Sequence, residues 1–171
     1  MRCRNLADVG RRRFLTGSAA VTVGAAVALT GREARAQTAA ARVEYPANRL
    51  ANLSDLVDNE PLEVAYPDAD APGVLLKLGK AVEGGAGPNG DVVGFSTVCP
   101  HQGFPLGYSA DDRTMNCPGH YSRFDVEAGG QQVWGQATQN LPQYTLRVDD
   151  AGEIYAEGVD ELLYGRLSNV L

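Results

Sequence analysis

The sequence predicts an all-β protein built as an antiparallel framework, and three observations carry that prediction. Its apolar runs are short and β-branched, they stop at turn residues, and two glycine-containing segments have the composition of strand connections. Residues 62–66 lie between Pro61 and Pro67 and read as a first strand. Residues 73–78, enclosed by Pro72 and Gly79, read as a second, and residues 91–97, between Gly90 and a Cys-Pro step, as a third. The glycine-rich stretch 84–90 joins those two as a flexible loop. Residues 143–148 and 153–157 form the last pair, with Asp149-Asp150-Ala151-Gly152 as a tight hairpin turn between them. Residues 50–56 and 159–166 are expected to form short helical turns.

Charge is distributed unevenly. The whole chain has a formal net charge of -6, but residues 1–36 hold seven Arg against two acids. Residues 37–171 therefore carry eight basic and nineteen acidic side chains, or 8 - 19 = -11. An acidic domain of about 135 residues can bury a real core and is a poor partner for nucleic acid.

The chemistry is concentrated in two short clusters. His101 and His120 are the only histidines, and each sits beside a cysteine, in Cys99-Pro100-His101 and in Cys117-Pro118-Gly119-His120. The one other cysteine is Cys3. Two loops of this kind can turn their side chains toward a common centre, offering two thiolates and two imidazoles. That donor set suits either a tetrahedral zinc or a 2Fe-2S cluster with two Cys on one iron and two His on the other.

The full loops, Cys99-Pro-His-Gln-Gly-Phe-Pro-Leu-Gly107 and Cys117-Pro-Gly-His-Tyr-Ser-Arg-Phe-Asp125, resemble those of the Rieske iron-sulfur family, whose pattern is C-x-H-x-G-C followed by C-x2-H-x-S. The segment from Gly135 through Leu141-Pro142-Gln143-Tyr144 is similar to the Leu-Pro-x-Tyr stretch of many such domains, and the resemblance spans roughly residues 60–157. It implies one Rieske-type 2Fe-2S cluster held by Cys99, Cys117, His101 and His120, with Ser122 donating a hydrogen bond to a bridging sulfide. It also implies that a small cluster-binding subdomain, placed at about residues 97–130, is inserted into a larger antiparallel β framework and carries the histidines at its tip. Neutral imidazoles replace two thiolate charges, which raises the reduction potential. An imidazole on ferric iron also loses its remaining proton more easily, so the potential should fall as pH rises.

Two departures from the pattern matter. Respiratory members tie the loops with a disulfide, and the matching positions here are Phe104 and Gly119. Packing of Phe104, Pro105 and Pro118 is expected to hold the loops instead. High-potential members place a tyrosine two residues after the serine, where this chain has Phe124. Trp134, Tyr108 and Tyr121 are expected to be core and loop packing rather than electron relays.

The N-terminus is expected to direct export. Arg11-Arg12-Arg13-Phe14-Leu15 resembles the twin-arginine motif, an uncharged stretch follows over residues 14–31, and Ala34-Arg35-Ala36 has the small-x-small form of a cleavage site. Residues 1–36 are thus expected to be a signal peptide cleaved after Ala36, leaving a domain of residues 37–171 that reaches the periplasm already folded. Eighteen residues fall short of the ~20 that a spanning helix needs, so no stable membrane span is expected.

No histidine is left over for a second, catalytic iron, so chemistry on a substrate must lie in another chain. The loops most resemble the small subunit of arsenite oxidases, in the form that lacks the loop disulfide. That resemblance implies a non-catalytic, electron-transfer subunit of an oxidoreductase complex. Its partners would be a large molybdopterin catalytic subunit and a soluble acceptor such as a cytochrome c, steered by the acidic surface. Two other readings remain at this level: the Rieske subunit of a quinol-oxidising respiratory complex, and a structural zinc-binding module. Apolar stretches at 50–57 and 162–171 are candidate docking surfaces.

Overall fold

Alternation of buried and exposed residues over Glu153–Val159 makes the longest strand among the described residues, and its inward side chains Ile154 and Ala156 set the position of two neighbours. The structure, a computed structural model, describes residues 44–170. Contacts divide the chain into Met1–Ala40 and Ala41–Leu171, and all the described residues belong to the second unit. The export motif, the expected cleavage point and Cys3 lie outside the described residues.

Among the described residues, ten strands succeed one another in chain order: β1 (Asn48–Asn52), β2 (Leu62–Ala65), β3 (Pro72–Lys77), β4 (Val92–Ser96), β5 (Gly107–Ser109), β6 (Thr114–Asn116), β7 (Arg123–Asp125), β8 (Gln131–Trp134), β9 (Tyr144–Val148) and β10 (Glu153–Val159). They form three antiparallel sheets, ordered β1-β10-β9, β2-β3-β4 and β5-β6-β7-β8. The all-β antiparallel expectation therefore holds. The turn between β9 and β10 closes where expected, with the Gly152 N–H donating to the Asp149 carbonyl at 2.9 Å.

The helical expectations need correction. Residues 48–52 pair with β10 as a strand, and only Leu53–Asp55 form a single 3-10 turn. That turn is capped reciprocally: the Ser54 N–H donates to the Asn52 side chain and the Asn52 N–H to Asp55. Val159 belongs to β10, and residues 160–166 form turns rather than a helix, with Gly165 at φ +79°.

One core positions the centre. Val74, Leu76, Val93 and Phe95 from the β2-β3-β4 sheet pack with Met115, Phe124 and Val126 from the four-stranded sheet, and Cys99 and Cys117 are part of the same cluster. Burying each large apolar side chain contributes about 1.5–3 kcal/mol, so the roots of both cysteine loops are anchored in a substantial apolar cluster. A second cluster places Tyr66 edge-on to Tyr144 at 5.4 Å between ring centroids.

Candidate metal centre

Both cysteines sit at the same place in the same kind of loop, although their sequences space the histidine differently. In the first loop, the Cys99 N–H donates to the Phe104 carbonyl (2.8 Å) and the Gly103 N–H donates back to the Cys99 carbonyl (2.9 Å). In the second, the Cys117 N–H donates to the Ser122 carbonyl (2.9 Å) and the Tyr121 N–H to the Cys117 carbonyl (3.1 Å). The fifth residue is left-handed in each, Gly103 at φ +73° and Tyr121 at φ +60°. Glycine takes that conformation freely, whereas tyrosine there costs about 1–2 kcal/mol. The first loop is closed at its neck by an antiparallel bridge between Val98 and Pro105, the second by the β6–β7 pairing of Asn116 with Arg123.

Cys99 and Cys117 are buried and free. Burial pushes the Cys99 thiol up, the backbone amide of His101 pulls it the other way, and the adjacent Cys117 thiol pushes it up again. A buried thiol beside another thiol gains most from a cation that converts both to ligated thiolates. The imidazoles of His101 and His120 face each other at 4.7 Å between centroids, with planes 78° apart. Both Nδ1 atoms are buried and lack a hydrogen-bond partner; the only other such side-chain atom among the described residues is the Tyr144 hydroxyl. Two orphaned ring nitrogens on two different loops are what a metal-binding pair presents before metal arrives.

The four donors make two pairs rather than one cage. The Cys99 and Cys117 thiols are neighbours and so are the His101 and His120 rings, and a two-iron cluster of the Rieske kind takes one such pair on each iron. The donor set and its geometry therefore fit the binuclear group.

Ser122 lies fully buried beside Cys117, and its Oγ accepts from the Gln136 N–H (3.1 Å) and the Ala137 N–H (3.0 Å). With both lone pairs engaged, its O–H is left to donate elsewhere. The chain reaches this position because residue 135 is glycine: a Cβ there would lie 2.4 Å from the Ser122 Cα.

The aromatic residues divide. Phe124 is buried in the core that holds both cysteines. Phe104 stands edge-on to His120, at 5.7 Å and 88°, and reaches across to the second loop. Tyr108 is half-buried and its hydroxyl donates to Asn59 Oδ1 at 2.7 Å, as packing predicts. Trp134 and Tyr121 are not core packing: they are 69% and 73% exposed. The two prolines expected to brace the loops by packing are both exposed, and Pro105 contributes through its backbone, in the neck bridge to Val98. Sequence reading missed the Gln136 and Ala137 amides around Ser122 and the placement of Tyr164 against Gly103, where a Cβ would lie 2.5 Å from the Tyr164 ring. Neither leaves a local signal, since each depends on segments far apart in the chain.

The centre has relatives among known proteins. The Rieske [2Fe-2S] domain family matches residues 47–145. A protein named iodate reductase subunit IdrB from Denitromonas iodatirespirans is 42% identical over 167 residues, covering 95% of this chain and 88% of the relative. One of the same name from Pseudomonas sp. (strain SCT) is 39% identical over 163 residues, covering 93% and 83%. Among solved structures, the soluble domain of Rieske protein II (soxF) from Sulfolobus acidocaldarius superposes with a TM-score of 0.60 at 26% identity, over 67% of this chain and 78% of that one. No helix among the described residues is long and apolar enough to cross a membrane. A family match over more than half of the chain, with relatives near 40% identity along almost all of it, makes this chain a member of the Rieske [2Fe-2S] family that takes one Rieske-type cluster.

Proposed function

We propose that this chain is the electron-transfer subunit of a periplasmic molybdopterin oxidoreductase that converts an oxyanion, with its cluster held by Cys99, Cys117, His101 and His120. The observation that carries the ligand assignment is the pair of buried free thiols together with two neighbouring imidazoles whose Nδ1 atoms are buried without partners. When bound, the cluster supplies reversible one-electron chemistry. Ser122, already accepting two amides, turns its O–H toward the sulfur side and stabilises the more negative state. Phe104 covers one edge of His120 and limits water at that ring. With each Nδ1 given to a bound cluster, Nε2 would be left to carry the imidazole proton and to face a redox partner.

Similarity to iodate reductase subunits over more than nine-tenths of the chain favours iodate as the substrate of the partner subunit. Electrons would then run from a periplasmic donor such as a cytochrome c, through this chain, to the catalytic subunit. The loop sequences support a second reading, arsenite oxidation, because Phe104 and Gly119 occupy the positions of the missing disulfide as in the arsenite oxidase subunits they resemble. Electron flow would then be reversed. The twin-arginine-like segment supports export of the folded domain, after cleavage behind Ala36.

Purification from the periplasm of the native host, with metal analysis and dye-linked assays, tests this. A co-purifying molybdenum-bearing large chain with iodate-dependent oxidation of a reduced viologen supports the first reading. Arsenite-dependent reduction of an oxidised dye selects the second. A colourless chain that binds zinc and has no large partner overturns both.

A further inference from the structure

We infer that a concavity on the cysteine flank of the centre is a socket in which the catalytic subunit seats an apolar side chain, with Trp134 and Tyr121 as the anchors on this chain. This rests on the reading of the chain as an electron-transfer subunit. The concavity, of about 290 Å3, is lined by Asn116, Cys117, Tyr121, Ser122, Arg123 and Trp134. That is at the lower edge of the ~300–1,000 Å3 of small-molecule sites and is room enough for one large apolar side chain.

Two backbone features build it. The β7–β8 register places Arg123 opposite Trp134 but Phe124 opposite Gln132, so Val133 is an extra residue in the edge strand. Such a bulge re-aims the side chain that follows it, here Trp134 into the concavity. The left-handed conformation of Tyr121 turns that ring out beside it. Two strained or irregular positions thus expose two large aromatic rings immediately beside a buried cysteine of the centre. Trp, Tyr and Arg around a pocket are the composition of the few residues that dominate protein–protein affinity.

Charge identifies the occupant. Residues 92–110, 114–122 and 128–146 contain no Asp, Glu, Lys or Arg, although residues 37–171 carry a net charge of 8 - 19 = -11. Arg123 is the one charged residue lining the concavity, and its guanidinium is already paired with Asp112 and donates to Asn116 Oδ1. The lining itself holds no carboxylate, and the adjacent Asp112 is already engaged by Arg123, so a basic soluble cytochrome finds no uncompensated acid here. A second copy would bring together two domains of net charge -11. The surface matches a chain held permanently by desolvation, which is the catalytic subunit.

The test is made on the complete complex produced in its host. Trp134→Ala should keep the visible and EPR spectra of the cluster while association with the catalytic subunit weakens by about 30-fold or more, so that the large chain is lost on gel filtration. Placing the photo-crosslinker benzoylphenylalanine at position 134 retains an aromatic ring should the alanine variant lose its cluster, and it should crosslink to the catalytic subunit. The inference is overturned if the complex stays intact in Trp134→Ala, whether or not KM for the soluble partner rises, or if the crosslink captures only the cytochrome or a second copy. Failure of the functional reading would look different, because the unaltered chain would then co-purify with no large subunit.

Discussion

The Phe104 ring lies against Gly119 so closely that a Cβ on residue 119 would fall 2.8 Å from two ring carbons. One loop of the centre therefore interlocks with the other through an aromatic ring and a missing side chain, at the positions where respiratory relatives carry a loop disulfide. The same ring abuts His120 edge-on. Because Phe104 is 41% exposed, its removal should cost less than the ~3–5 kcal/mol of a fully buried phenylalanine, about 1–2 kcal/mol. Phe104→Ala and Gly119→Ala should each bleach faster on heating, followed by visible absorbance at fixed temperature. Bleaching at the rate of the unaltered chain would show that the interlock contributes nothing.

Ser122→Ala strands two backbone N–H groups, the buried one of Ala137 and the part-buried one of Gln136. Leaving buried donors unpaired costs about 1–3 kcal/mol, and the lost O–H should also lower the midpoint potential. Urea titration and protein-film voltammetry measure the two effects separately. A lowered potential without lost stability would mean that the 135–137 segment finds other acceptors.

Phe124 is fully buried beside both cysteines and brings no hydrogen-bond donor to them. Phe124→Tyr should raise the midpoint potential by adding one. An unchanged or lower value in film voltammetry would reject this, and a drop in stability alone would show that the new hydroxyl is unsatisfied.

Glu127 joins two parts of the protein, accepting from Lys80 (2.8 Å) beyond β3 and from Arg113 (2.6 Å) before β6. Lys80 first, and Arg113 after it, hold its carboxyl below the ordinary value. A carboxylate depressed in the folded state binds its proton less tightly than the unfolded chain does. Its contribution is thus present above the unfolded pKa and is lost as pH falls through the folded one. Urea melts across the acid range should show a shallower fall in stability for Glu127→Gln than for the unaltered chain, and parallel curves would exclude the pair as a source of acid sensitivity.

Strands β2, β3, β4, β9 and β10 are legible in the sequence because proline and glycine bracket compact β-branched runs. Strand β1 is not, since Asn48-Arg49-Leu50-Ala51-Asn52 has little apolar pattern and forms only by pairing with β10, about a hundred residues away. Strands β5 to β8 are three or four residues long, too short to establish a period. The metal-binding candidates are readable from spacing alone, because Cys and His occur almost nowhere else. The exposure of Trp134 is not, because it depends on a bulge at Val133 that exists only once β7 and β8 have paired.

Quantifying iron, acid-labile sulfide and zinc in anaerobically purified protein, alongside EPR of the reduced form, bears most directly on the centre. Two irons and two sulfides per chain are expected, with the Rieske spectrum abolished in His101→Ala and in His120→Ala. One zinc per chain, or an undiminished spectrum after removal of either imidazole, would contradict a binuclear centre held by these four side chains.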